Sequence, residues 1–215
     1  MNIFENSLIF DFDGVISESI PAKTNAFKQL FSKFNTTIQN KVVKHHLENG
    51  GMSRYVKIKY YYENFVDEKI TQKQLRNYCE QFSDLVLKKV IESPLVPGIK
   101  NFLEKNYKLN NLFISTGTPQ NEIEKIVDEI NIKQYFINVY GSPDKKEKHL
   151  ERISKKYNLS FSKMTFIGDS QTDYSAAKKK KVKFILRKHK DNEKFFSNYK
   201  GKIINDFSSI DYFNN

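Results

Sequence analysis

The chain has 215 residues, 39% of them hydrophobic and including 18 Phe and 12 Tyr. That is enough apolar material for a packed core, and it excludes a chain disordered throughout. The net charge of +11 comes from 36 Lys and Arg spread along the whole sequence against 25 Asp and Glu. No zinc-finger, helix-turn-helix or ribonucleoprotein-type motif accompanies it, so nucleic-acid binding is not expected. The single cysteine, Cys79, excludes an intramolecular disulfide and a multi-cysteine zinc site.

The opening MNIFENSLIFDFDG has no basic start and only a short apolar stretch, so a signal peptide and a membrane span are not expected; cytoplasm is the expected compartment. Ser7 to Phe12 is an apolar run that breaks at Asp11-Phe12-Asp13-Gly14. This pattern predicts a buried parallel strand followed by a loop. Residues 20 to 93 read differently. Phe27, Leu30, Phe31 and Phe34, then Leu75, Tyr78, Phe82, Leu85 and Val86, recur at helical spacing, and Thr71 to Gln74 has the spacing of a capping box. Pro94 and Pro97-Gly98 close that segment. Three more short apolar runs, Asn111 to Ser115, Met164 to Gly168 and Val182 to Leu186, each follow a helical pattern. Alternating strands and helices predict an α/β fold with a doubly wound, Rossmann-like parallel sheet. The expected organisation is a core of residues 1–16 and 93–215, with a small all-helical domain, residues 17–92, inserted after the first strand.

Four segments carry chemistry. Asp11 and Asp13 stand at a strand's carboxyl end, where two close carboxylates call for a hard cation, and Gly14 permits a sharp turn beside them. Gly168-Asp169-Ser170-Gln171-Thr172-Asp173 is a second acidic strand end. Helix capping accounts for Ser170 and Asp173 but not for Asp169. Ser115-Thr116-Gly117-Thr118-Pro119 supplies hydroxyls and backbone N–H groups, with Pro119 at the expected first helical position, a combination suited to phosphate. Lys145 and Lys146 follow Gly141-Ser142-Pro143-Asp144 and open a helix with Leu150 and Ile153 on its inner face. Either lysine is a point charge for phosphate.

This order of DxD, Ser or Thr, lysine and GDxxxD resembles the haloacid dehalogenase superfamily over nearly the whole chain, with the helical insert similar to the type-1 cap of its phosphoglycolate phosphatase and beta-phosphoglucomutase branch. The resemblance implies Asp11 as nucleophile forming an aspartyl-phosphate, and Asp13 as general acid and then base. It implies Ser115, with Thr116 and Gly117, around the phosphoryl group, and Lys146, preferred to Lys145 for the Leu150 four positions on, as the neutralising lysine. Mg²⁺ would be held by Asp11, the Asp13 main chain and Asp169, with Asp173 in support. An acidic set of this kind points to phosphoryl transfer rather than dehalogenation.

Substrate choice falls to the insert. There Asn49-Gly50-Gly51-Met52-Ser53-Arg54-Tyr55-Val56-Lys57 resembles a GGxSR loop of capped family members, and Arg54 and Lys57 are the expected substrate-binding cations. Family mutases usually carry a histidine near the position of Lys23. Its absence favours hydrolysis. The expected function is a Mg²⁺-dependent phosphatase for a small phosphorylated metabolite, such as phosphoglycolate or a sugar phosphate. A phosphomutase and a non-catalytic phosphate-ligand protein on the same fold are the alternatives. No membrane partner is expected, and the sequence bears no mark of oligomeric state.

Overall fold

The structure is a computed structural model that describes residues 6–208. Residues 1–5 and 209–215 of the expected core, the first of which also open the segment read as lacking a leader, lie outside the described residues. The strands are β1 (Ser7–Phe10), β2 (Asn111–Pro119), β3 (Asn138–Ser142), β4 (Met164–Gly168), β5 (Lys183–Arg187) and β6 (Lys202–Ile204). All pair in parallel in the order β3-β2-β1-β4-β5-β6. The order reverses beside β1, and in such sheets the crevice at the carboxyl ends of the strands around that point is where ligands bind. The acidic motifs end β1 and β4, two adjacent strands at that point.

Alternation along the strands separates two apolar layers. Phe10 and Ile114 face one side, while Ile9, Phe113 and Phe166 face the other, against Leu150 and Ile153 of α7 (Lys146–Tyr157) and Ala176 and Ala177 of α8 (Gln171–Lys180). Helices α5 (Ile99–Asn106) and α6 (Gln120–Glu129) cover the first side.

Between β1 and β2 the chain forms α1 (Ile20–Leu30), α2 (Thr36–Glu48), α3 (Arg54–Tyr61) with a π turn over Tyr62–Val66, and α4 (Gln72–Ile91). Asn35 caps α2, accepting from the Ile38 N–H at 3.0 Å. The capping box of α4 forms as the spacing predicts, with the Thr71 N–H on Gln74 Oε1 at 2.9 Å. Phe27, Phe31, Tyr61 and Phe82 fill the interior of this segment, which is continuous with the first layer of the core. The two chain crossings into it run side by side, the Glu18 N–H donating to Pro94 O and the Val96 N–H to Ile16 O, both at 2.9 Å. Arg187, at the end of β5, ties this hinge to the core by donating to Gly14 O at 3.2 Å and pairing with Glu18.

Two strands, β3 and β6, carry no legible signal of their own. β3 reads NVYGS and β6 is three residues long. β2 extends past the expected Ser115 through an irregular register to Pro119, so Pro119 caps α6 rather than opening it.

Candidate active site

Asp11 is 1% exposed at the end of β1. Its Oδ1 accepts from the Phe12 N–H at 2.7 Å and its Oδ2 lies 2.6 Å from Lys146 Nζ. Lys146 begins α7 and reaches inward, while Lys145 caps the helix and is exposed. The same ammonium bonds Asp173, whose other oxygen accepts from the Ser170 N–H at 3.1 Å and the Ser170 hydroxyl at 2.6 Å. Asp173 therefore both caps α8 and holds Lys146 against Asp11.

Burial and the neighbouring Asp173 raise the Asp11 carboxyl to about 7, against the opposing pull of Lys146. Burial likewise raises Asp169 and Asp173. Burial draws Lys146 down, but Asp11 and Asp173 outweigh it and keep the ammonium charged. One cation thus stands among three buried acids, leaving a surplus of negative charge.

Asp13 turns the other way. Its carboxylate bonds Lys23 and accepts from the Ser19 hydroxyl at 2.7 Å, and Lys23 also donates to Thr118 Oγ1 at 2.7 Å. Burial raises this carboxyl, yet Lys23 and Ser19 together hold it below the usual carboxylate value. Lys23 reaches Asp13 because it lies one turn into α1, on the helix face that closes the crevice; the sequence marks it only as a departure from histidine.

The hydroxyls of β2 divide between two faces. Ser115 Oγ lies 2.9 Å from Nδ1 of His149, whose Nε2 lies 3.2 Å from Gly141 O. Burial, reinforced by Lys146, lowers the His149 imidazole to about 4, so it is neutral, and with Nε2 protonated toward Gly141 its Nδ1 accepts the Ser115 proton. The donor expected at Ser115 is therefore spent inside the core. Thr116 stands on the other face, its Oγ1 accepting from the Thr118 N–H at 3.2 Å and making only a long donation, 3.5 Å, to Thr118 Oγ1.

The loop from Asn49 covers this region. Gly51 has φ +72°, and a Cβ there would stand 2.7 Å from Lys146 Nζ, so glycine alone lets the loop backbone rest over the lysine. The Thr172 hydroxyl donates to Gly50 O at 2.8 Å. Arg54 departs from expectation. Its guanidinium pairs with Glu122 of α6 at 2.8 and 2.5 Å, donates to Ser83 at 2.5 Å and stacks over Phe82. Arg54 lines the crevice with its charge already paired, so its structural part is to join α3 to α6. Lys57 is 2% exposed and lines the crevice.

Oxygens of Asp11, Asp169 and Asp173 lie within 4.8 Å of one another. Hard carboxylate donors with surplus negative charge fit Mg²⁺. His189, in the loop after β5, contacts Asp169 Oδ2 at 2.9 Å, and Asn192 donates to Asp169 O at 2.8 Å. Neither residue carries a legible sequence signal, since a lone histidine after a strand is ordinary. Among the described residues no helix is long and apolar enough to cross a membrane.

Residues 8–187 match the family model of haloacid dehalogenase-like hydrolases. The chain belongs to that family and is a hydrolase by membership. A phosphoglycolate phosphatase of Vibrio parahaemolyticus is 25% identical over 182 residues, 80% of this chain and 78% of that protein. Two solved structures share the fold. Beta-phosphoglucomutase of Clostridium difficile is 17% identical with a TM-score of 0.75, covering 98% of this chain and 94% of that one. YfnB of Bacillus subtilis, solved with magnesium bound, is 14% identical with a TM-score of 0.67, covering 94% and 95%.

Proposed function

We propose that this haloacid dehalogenase-like hydrolase is a Mg²⁺-dependent phosphatase that cleaves a small phosphate monoester of the phosphoglycolate or sugar phosphate type through an aspartyl-phosphate on Asp11. The observation that carries the reading is the Asp11–Lys146–Asp173 chain at the end of β1: a buried carboxylate held by one ammonium, with Asp169 beside it.

Asp11 Oδ attacks phosphorus; the new bond to Asp11 forms as the bond to the leaving oxygen breaks. Water then attacks the same phosphorus as the Asp11 Oδ–P bond breaks, which frees phosphate and restores the carboxylate, so one difficult step becomes two easier ones. Asp11, Asp169 and the Asp13 main chain would hold Mg²⁺, which would supply positive charge against the phosphoryl oxygens. Lys146 supplies the rest, and its bond to Asp173 keeps it placed through both steps. Thr116 in place of Ser115, together with the Gly117 backbone, donates to the phosphoryl oxygens.

Asp13 moves the protons. Its pairing with Lys23 keeps it ionised, so the leaving oxygen takes a proton that passes from Lys23 Nζ through the Asp13 carboxylate, and the attacking water returns one to the pair in the second step. Residues 17–92 act as the cap, which excludes water from the crevice when closed. Lys23 in the place of the mutase histidine favours hydrolysis over transfer to a sugar.

Release of inorganic phosphate from a panel of such esters, with and without Mg²⁺, tests the reading. Release that requires Mg²⁺ supports it; no release from any ester refutes it.

A further inference from the structure

The surplus charge is confined to one part of the chain. Residues 144–202 hold 18 Lys and Arg against 7 Asp and Glu, a net +11, while the remaining residues hold 18 of each and are neutral. Scarcity of acids in that stretch makes the excess, which folds as α7, β4, α8 and β5 and runs to the first residue of β6. The parallel topology then gathers its lysines at one pole, because a helix that returns the chain between parallel strands ends at their amino ends. Lys155 and Lys156 stand in the last turn of α7, and Lys178, Lys179 and Lys180 in that of α8, which Lys181 closes. Lys183 and Lys202 are the first residues of β5 and β6, and Lys163 stands just before β4. Lys180 pairs with Glu151, whereas Lys155, Lys156, Lys178, Lys179, Lys181 and Lys183 are exposed and form no ion pair among the described residues. The helix dipole favours a cation in each last turn, but it does not reach the lysines that start the strands.

Two exposed aliphatic side chains stand among these cations. Leu109, in the turn into β2, is 65% exposed, and Ile203, beside Lys202, is 43% exposed. Their neighbours Asn110 and Lys202 line one cavity with Lys163 and Lys183. We propose that the amino pole of the sheet is a docking surface for a bilayer containing anionic lipid, with the lysines over the headgroups and Leu109 and Ile203 entering the interface. Clustered lysines add their attractions to an anionic leaflet, and an inserted aliphatic side chain adds an apolar contribution. A nucleic-acid surface fits less well, since it draws on arginine forks and on rings for stacking. Arg152 of α7 is paired with Asp144, and the exposed aromatics among the described residues, Tyr55 and Tyr60, lie on α3 in the helical segment. Asp11 stands at the opposite end of the sheet, roughly 15 Å away by strand length, so the crevice stays accessible in the docked protein. Attachment of this kind needs no spanning helix, and it revises the expectation of no membrane partner.

Co-sedimentation of the full chain with vesicles tests the surface. Vesicles of phosphatidylglycerol and phosphatidylcholine in equal parts should pellet the protein at about 0.1 M salt and release it at about 0.5 M, and pure phosphatidylcholine should not bind it. The triple substitution Lys178→Gln, Lys179→Gln, Lys181→Gln should lower the partition coefficient roughly 100-fold. Leu109→Ser should lower it about 10-fold. Each variant is confirmed folded by its melting curve. No binding to the mixed vesicles, equal binding to the neutral ones, or a partition unchanged by the triple substitution overturns the proposal. Vesicle binding that Leu109→Ser leaves intact and that duplex DNA abolishes in competition also overturns it, since that result marks a surface for any polyanion.

Discussion

The guanidinium of Arg54 on α3 lies against the carboxylate of Glu122 on α6, Nη1 to Oε1 at 2.8 Å and Nη2 to Oε2 at 2.5 Å, and so joins the helical segment to the sheet core. Glu122 sits in the first turn of α6, where the helix dipole favours an acid. With side chains 5% and 12% exposed, loss of either partner strands the other. Arg54→Met alone is expected to cost about 3 kcal/mol. The double variant with Glu122→Gln should cost less than the sum of the singles, as urea unfolding of the four proteins will read.

Lys146 is the only cation bonded to Asp11 and Asp173 among the described residues. Lys146→Met should lower turnover at least ~100-fold and leave three buried acids facing one another. Mg²⁺ should then raise the melting temperature of the variant more than that of the wild type. Equal shifts in thermal melts would contradict the placement of the cation among these acids.

His189 holds the Asp169 oxygen at 2.9 Å. Groups that orient a metal ligand in this way are worth roughly 10- to 100-fold in affinity. His189→Ala should weaken Mg²⁺ binding by about that factor in calorimetry. Unchanged affinity would make His189 a packing residue only.

Lys57 gives stability a defined pH dependence. Its ordinary value of 10.5 falls to about 7 on folding. Below pH 7 both folded and unfolded chains hold the proton, and the penalty for charging Lys57 in the interior is fully present. Between pH 7 and 10.5 only the unfolded chain holds it, so stability from this group rises with pH by about 1.4 kcal/mol per unit. The stability of wild type relative to Lys57→Met should therefore climb from pH 7 to 10 in denaturant titrations. A flat difference would mean that Lys57 is charged throughout, through its neighbours Asp13 and Asp169.

Motifs that combine a strand end with chemistry were readable from sequence, because an apolar run that stops at an acid is both a structural and a chemical signal. Asp11, Asp13, Asp169 and Asp173 show this, as does Lys146, whose Leu150 spacing separates it from Lys145. Contacts across the chain were not readable. Glu122 looks like any first-turn acid until α3 is packed on α6, and His46 like any helix histidine until Lys57 is seen against it. Ser115 and Thr116 are both hydroxyl residues at a strand end; only the pleat, which aims one at His149 and the other away, tells them apart. β6 leaves no mark in the sequence, because three residues at a sheet edge have no period.

Phosphate release by wild-type and Asp11→Asn proteins, measured side by side with Mg²⁺ on phosphoglycolate and a sugar phosphate, tests the nucleophile most directly. Steady release by the wild type and a loss of at least ~1000-fold in the folded variant is the predicted result. Equal release by the two proteins, or none by the wild type, would contradict the assignment of Asp11.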